Sequence, residues 1–374
     1  MNILHICNGF CTSKVHSNLC RSLDSMVEKQ TVYTYIDAAE KVGKNSFEGN
    51  HTNIIYDVIL NRFVRKIYPM RIKWTYYHLK RKISPTDFNC VFATTLFSDG
   101  GVANLIYKKY GIPYIVAVRT TDLTTYLKTR LFWKYGREIL LNASRIVLIN
   151  KAYGDRLKTL EFSRGIWDQI RDKIVIRPNG IDSFWIENQR RDMPQNKHSI
   201  CYVGTFLTRK KVPQLIRAIE SLLPEFPDLK LDIVGANGDT EQEIKILSKE
   251  KSFINFYGPV YDKQRLLDIY RNNGIFAMPS VSETFGLVYI EALSQNLRLL
   301  YTKGTGIDGM LDNVGVAVEN PNEVSIREGL RELLLSYDEI DGNSYVDMSS
   351  FHWNNIAEEY IEMFKCLNKQ FNYI

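Results

Sequence analysis

The stretch Ile275-Phe-Ala-Met278-Pro279-Ser280-Val-Ser-Glu283-Thr284-Phe285-Gly286-Leu287-Val-Tyr-Ile-Glu291-Ala292 changes character partway along. Ile275–Met278 reads as a short buried strand that Pro279 closes, and a helix begins near Phe285–Gly286. The helix stops at Gln295-Asn296, because Asn tolerates the left-handed cap conformation. Strand, loop and helix start together form an anion site. The first N–H groups of a helix lack intrahelical partners and carry the positive end of its dipole. A diphosphate suits such a site. Glu283 precedes the helix start and Glu291 lies more than a turn inside it, so the two carboxylates are not adjacent on one face. They address different parts of an extended ligand or, on local grounds alone, are a capping acid and an exposed helix acid.

Working outward, the same alternation of short β-rich runs and helical stretches fills the chain. Strands are expected at Asn2–Cys7, Thr31–Ile36, Asn89–Ala93, Tyr114–Arg119, Arg145–Ile149 and Lys173–Arg177. The series then restarts at Ser199–Val203, Lys230–Val234, Ile254–Tyr257, Ile275–Met278 and Arg298–Tyr301. Alternating β and α segments imply parallel sheets covered by helices, and two series imply two doubly wound domains. Ligands then bind at the carboxyl ends of the strands. The polar, proline-containing run 185–197 separates residues 1–185 from 186–350, and 351–374 is an amphipathic helix expected to pack back on the first domain.

Composition agrees with a globular protein of two domains: 374 residues, 45% hydrophobic and 24% charged. The net charge of +6 hides an asymmetry. Residues 1–185 carry 28 Lys/Arg against 15 Asp/Glu, and the remainder 20 against 27. A basic half favours an anionic partner. The six cysteines show no paired spacing, which fits free thiols in a reducing compartment, and Cys7 and Cys11 lack nearby partners for a zinc site. Met1–Cys7 reads as a strand rather than a signal peptide, and no apolar run is long enough to span a membrane. These readings point to a cytoplasmic protein.

The string from Met278 through Leu293 resembles the E-x7-E signature of retaining glycosyltransferases of family 4, whose fold is GT-B: two Rossmann-like domains facing an interdomain cleft. The resemblance implies that Glu283 lies near the donor sugar, that Glu291 binds the nucleotide ribose, and that the backbone of Thr284, Phe285, Gly286 and Leu287 meets donor sugar or phosphate. Val203-Gly204-Thr205-Phe-Leu-Thr-Arg209-Lys210-Lys211 resembles the family's phosphate-binding segment, with Lys210 in the place of its lysine and Thr205 where an arginine is usual. Arg209 either compensates for that missing charge or is a solvated surface residue. Phe256-Tyr257-Gly258-Pro-Val260 resembles the stretch whose backbone reads the nucleobase. Ile233-Val234-Gly235 matches a family strand end, and Arg177-Pro-Asn-Gly180-Ile-Asp182 resembles the turn between domains or is a plain Asn-Gly turn.

The first half matches less closely. Arg119 stands where the family's active-site histidine is usual. A guanidinium is not a base, so its expected part is to neutralise a phosphate. Asp122 either positions an acceptor hydroxyl or caps the next helix. The loop Asn8-Gly9-Phe10-Cys11-Thr12-Ser13-Lys14 has one glycine where the family has several, and Gly9 is the point of approach to phosphate. His5 and His16 read as structural. Residues 61–83 hold eight basic residues (Arg62, Arg65, Lys66, Arg71, Lys73, Lys80, Arg81, Lys82) and no acid, interleaved with Phe63, Ile67, Tyr68, Trp74, Tyr76, Tyr77 and Leu79. This mixture suits an anionic membrane surface; a solvated helix face and single-stranded nucleic acid are the other readings.

The expected reaction is transfer of a sugar from a nucleoside diphosphate sugar to a hydroxyl of a glycan or lipid-linked acceptor, with retention. The expected location is the cytoplasm, with peripheral contact to the inner face of the cell membrane. No cofactor or metal is expected, because no Asp-x-Asp is present to bridge a metal to the diphosphate. A sugar-nucleotide epimerase of the same fold and a non-catalytic nucleotide-sugar-binding protein are the alternatives. A dehydrogenase is disfavoured because no G-x-G-x-x-G follows the first strand.

Overall fold

The computed structural model describes residues 1–249, 251–340 and 346–371. Residues 250 and 341–345 of the expected second domain, and 372–374 of the expected C-terminal segment, lie outside the described residues. The chain forms two compact units, each with its own parallel sheet. The first comprises Met1–Ile149, Tyr153–Gly180 and Trp353–Ile374, and the second Asn150–Ala152 and Ile181–His352.

The first sheet has seven strands: β1 (Asn2–Ile6), β2 (Lys29–Ile36), β3 (Thr52–Val58), β4 (Cys90–Ala93), β5 (Tyr114–Val118), β6 (Arg145–Leu148) and β7 (Ile174–Ile176). Their order is β3-β2-β1-β4-β5-β6-β7. All pairs are parallel, with Ile3 opposite Gln30 on one side and Cys90 on the other. The central strands are apolar throughout, as in Tyr-Ile-Val-Ala-Val of β5, because helices cover both faces of the sheet. The helix Trp353–Phe371 supplies part of that cover. Trp353, Ile356, Tyr360, Phe364 and Leu367 pack on Leu19, Phe92, Ile115 and Val147 of the same unit.

The second sheet has six strands: β8 (Ser199–Val203), β9 (Lys230–Val234), β10 (Ile254–Gly258), β11 (Ile275–Ala277), β12 (Arg298–Thr302) and β13 (Gly315–Val318). Their order is β10-β9-β8-β11-β12-β13. In each sheet the chain reverses its direction of winding beside the first strand of the series, between β1 and β4 and between β8 and β11. A loop leaving each of those strands therefore enters the crevice where doubly wound sheets hold ligands. The eleven expected strands are all present, and β3 and β13 are additions. β3 is half exposed along most of its length, and β13 has only four residues led by glycine. β3 lacks the continuous apolar run that marks a central strand, and the run at β13 is short and holds a glycine. All six cysteines are free thiols.

Candidate active site

In the second unit the loop after β8 and the loop after β11 lie side by side because their strands pair. This brings Lys210 to Glu283, 73 residues away in sequence: the ammonium donates to Glu283 Oε2. Arg209 sits on the outer side, with Nη1 3.6 Å from the same oxygen and 2.6 Å from the Ser282 carbonyl. Thr284 N–H donates to the other carboxylate oxygen at 3.2 Å. Lys210 is buried, and burial lowers its pKa below the ordinary lysine value, while the charge of Glu283 acts in the opposite direction. The two thus form a buried ion pair beneath a more exposed arginine.

The backbone around Glu283 is fixed from a loop that the sequence reading passed over. Glu283 N–H donates to Thr305 Oγ1 at 2.8 Å, and that hydroxyl donates back to the Glu283 carbonyl at 3.0 Å. Gly306 N–H reaches the same carbonyl at 3.3 Å. A signal was present in Lys303-Gly-Thr-Gly-Ile-Asp-Gly309, three glycines in six residues directly after a strand. Each of these glycines has positive φ.

Gly286 starts the helix Leu287–Ser294 from the left-handed region, at φ 81°. A Cβ there would lie 2.5 Å from the Tyr289 ring, so conformation and space both require glycine. Phe285 is buried against Phe351, which leaves its backbone beside the helix mouth. The Leu287 end of the helix presents amides that have no intrahelical partner. Glu291, a turn further on, faces inward. Tyr270 OH approaches its Oε2 at 3.4 Å, and burial pushes its pKa up to about 7.

Gly204, Gly235 and Gly258 close three neighbouring strands. A Cβ on Gly235 would fall 1.9 Å from the Gly204 carbonyl, and Gly235 N–H donates to the Gly258 carbonyl at 2.9 Å. Thr205 is exposed beside Gly204, and its carbonyl accepts from Tyr202 OH at 2.7 Å. Val260, two residues beyond Gly258, is half-buried.

The first unit gathers its own set at the ends of β1, β4 and β5. Asp122 is buried, and its carboxylate accepts the N–H groups of Leu96, Phe97 and Arg119 at 3.0, 3.2 and 2.8 Å. It therefore ties the β5 loop to the β4 loop. Burial raises its pKa to about 6, against the lowering effect of those three bonds. Asp99, which the sequence reading did not single out, does the same for the β1 and β4 loops. It accepts from Asn8 N–H at 3.1 Å, Tyr35 OH at 2.9 Å, and the Thr94 and Thr95 hydroxyls at 2.8 and 2.9 Å.

Arg119 anchors Nε on the Thr94 carbonyl at 3.1 Å. A Cβ on Gly9 would sit 3.2 Å from His16 Nε2, which places His16 directly under the loop. Burial, reinforced by the Arg119 charge, takes His16 down to about 3, and burial takes His5 down to about 4. Both imidazoles are neutral at physiological pH.

Residues 183–348 match the family described as glycosyl transferases group 1. A probable sucrose-phosphate synthase of Thermosipho melanesiensis is 22% identical over 294 residues, 73% of this chain and 69% of its own length. A D-inositol 3-phosphate glycosyltransferase of Corynebacterium jeikeium is 30% identical over 189 residues, 46% of this chain and 45% of its own. Among solved structures, HepE of Anabaena in complex with UDP superposes with a TM-score of 0.72 at 14% identity, over 98% of this chain and 100% of that one. The sucrose-phosphate synthase of Thermosynechococcus elongatus superposes with a TM-score of 0.71 at 16% identity, over 98% and 99%. Two parallel α/β units of this topology are the GT-B architecture. The segment 183–348 is the part of the chain that matches the glycosyl transferases group 1 family, and the fold of the whole chain is that of the glycosyltransferases on which it superposes.

Proposed function

We propose that the protein transfers a sugar from a nucleoside diphosphate sugar to an acceptor hydroxyl, with retention of anomeric configuration. The observation that carries this reading is the buried Lys210–Glu283 pair set beside the Gly286 helix start. Lys210, Arg209 and the amides of Thr284–Leu287 hold the diphosphate, and Glu283 lies beside the donor sugar. Glu291 takes the ribose hydroxyls. Gly204 and Thr205 let the backbone approach the phosphates, and Gly258 and Val260 border the base. In the first unit Gly9 and Arg119 serve phosphate. Asp122 acts there by holding the Arg119 backbone in place.

In the chemical step the bond from the anomeric carbon to the diphosphate oxygen breaks, and its electron pair leaves with the phosphate. The acceptor oxygen bonds to the same carbon from the same face. Its proton passes to the departing phosphate oxygen. Preorganised cations and amides stabilise the charge that develops on the leaving group. The structures of HepE with UDP and with UDP-glucose favour a uridine donor. The acceptor we infer is a lipid-linked glycan or another cell-surface polysaccharide precursor, reached from the cytoplasmic side with residues 61–83 on the membrane surface. No described helix is long and apolar enough to cross a membrane.

Titration of the full chain with UDP-glucose by calorimetry tests the donor reading. Wild-type protein is expected to bind, and Lys210→Ala to bind at least about tenfold more weakly, as loss of a charge-assisted bond implies. Equal affinities would remove Lys210 from the site. Turnover of the donor that depends on added acceptor separates a transferase from an epimerase.

A further inference from the structure

In the first unit, α1 spans Lys14–Leu23, α2 spans Arg62–Lys66 and α3 spans Tyr68–Lys82. α3 is apolar on two faces. Its inner stripe, Tyr68, Ile72, Thr75, Tyr76 and Leu79, is buried. The outer stripe is Met70, Trp74 and Tyr77, at the 4-3 spacing of a single helical face, and Ile67, the extended residue that precedes the helix, borders the same depression. Phe63, on the separate short helix α2, is a further exposed apolar side chain of the same segment. Phe63 is 67% exposed, Ile67 44%, Trp74 39% and Tyr77 46%. A shallow depression of about 600 Å³ lies on this face, lined by Ile67, Pro69, Met70, Lys73, Trp74 and Tyr77.

The cations of the segment divide into two sets. Arg65 is paired with Asp37 at 2.6 Å, and Arg71 turns inward to Ser98 and Tyr126 at 3.3 and 2.8 Å. Arg62, Lys73, Lys80, Arg81 and Lys82 have no carboxylate partner among the described residues. An exposed apolar stripe bordered by unpaired cations matches the layering of an anionic bilayer, headgroups outside and hydrocarbon within. The polar atoms of the stripe are already served. Trp74 Nε1 donates to the Ile59 carbonyl at 3.1 Å, and Tyr77 OH accepts from Arg81 at 3.3 Å. Lys73 is long enough to keep its ammonium at the headgroups while its stem lies along the stripe.

Two other occupants fit less well. A second copy of the chain, meeting this face symmetrically, would set unpaired cations against their own kind. Single-stranded nucleic acid needs open aromatic faces, but Trp74 is stacked with Tyr77 at 6.3 Å and against His78 at 4.6 Å.

We propose that the stripe Ile67, Met70, Trp74 and Tyr77, together with the exposed Phe63 of α2, is the surface of this chain that enters an anionic bilayer, with Lys73, Lys80, Arg81 and Lys82 on the headgroups. This rests on the reading that 61–83 contacts a membrane and deepens it. The test uses the full chain with vesicles of phosphatidylcholine, with and without phosphatidylglycerol. Wild-type protein should sediment with the anionic vesicles and retain a salt-resistant fraction. Phe63→Ser with Ile67→Ser should weaken binding at least about tenfold, since two large apolar side chains no longer leave water. Both positions are exposed, so thermal unfolding should be unchanged. Brominated acyl chains should quench wild-type tryptophan fluorescence but not that of Trp74→Phe. Anionic binding that ignores the double substitution, with no quenching, overturns the stripe and leaves a purely electrostatic membrane contact. Absence of binding to either vesicle overturns the membrane reading and the stripe together. Binding of a single-stranded oligonucleotide without vesicle binding, or dimerisation lost on the double substitution, assigns the face elsewhere and overturns the proposal.

Discussion

Glu291 is a carboxyl group whose burial brings its pKa to about 7, from an ordinary 4.5. Between those values the folded protein binds a proton that the unfolded chain does not, so this group's contribution to stability falls as pH rises from about 4.5 to about 7. Glu291→Gln removes the contribution while keeping the shape. Relative to wild type, the variant should therefore gain stability with rising pH, by on the order of 3 kcal/mol between pH 4.5 and 8 at 1.36 kcal/mol per unit. Urea unfolding across that range checks it, and parallel curves would show that Glu291 is solvated. Ribose hydroxyls donate most strongly to the ionised form, so UDP-glucose affinity should rise through pH 7 in wild type and stay flat in the variant. A second prediction rests on Lys210 and Arg209, which supply positive charge where many enzymes use a divalent ion. Transfer activity should persist in EDTA; loss of activity that Mg²⁺ or Mn²⁺ restores would show that a metal assists the leaving group. Glu283, Glu291 and Lys210 were singled out in sequence because each falls within a segment that resembles a family signature. Thr305 and Asp99 were not, because their partners lie in loops that only strand pairing brings together.

At the scale of elements, the strand–loop–helix reading of Ile275–Leu293 holds, with the helix starting at Leu287 and Gly286 as its cap. What sequence could not supply was the neighbour of that loop, since the pairing of β8 with β11 follows from sheet order rather than from local pattern. The two unexpected strands are also pairing effects. β3 is held by seven consecutive partners on β2, though its own residues are half exposed. The Gly286 cap leads to a third prediction. Gly286→Ala forces a side chain into the left-handed region, which costs about 1–2 kcal/mol, and drives its Cβ toward the Tyr289 ring. The denaturation midpoint should fall accordingly, and donor affinity should drop at least about tenfold as the helix-start amides shift. Gly165→Ala is the comparison, because Gly165 has φ +82° but nothing within 4 Å of its would-be Cβ. It should show the backbone cost alone and unchanged donor affinity. Matching donor losses in both variants would refute the part given to the helix start.

For the whole molecule, the two units were legible because the β/α series restarts at Ser199 after a polar interval, each series carrying enough apolar strand for its own sheet. The chain does not divide at a single point, however. It returns to the first unit at Trp353, and the last helix completes a core begun by β1 and α1. Eight of its side chains, from Trp353 to Leu367, are buried in that cluster. Burial of a large apolar side chain contributes about 1.5–3 kcal/mol, so together they contribute more than 10 kcal/mol as an upper estimate. The net stability of a domain is only about 5–15 kcal/mol. A chain ending at His352 should therefore lose the fold of the first unit and keep that of the second, whose six strands all lie within Ser199–Val318. Limited proteolysis followed by mass spectrometry reads the two separately. Fragments from 1–180 should be cut rapidly in the truncated chain, while a resistant core from 181–340 survives. Phe364→Ala, fully buried in the same cluster, is the milder version and should cost about 3–5 kcal/mol. It should destabilise the first unit while leaving UDP-glucose binding by the second intact. If 1–180 resists protease equally with and without the helix, the first sheet carries its own stability, and the helix is merely docked on it.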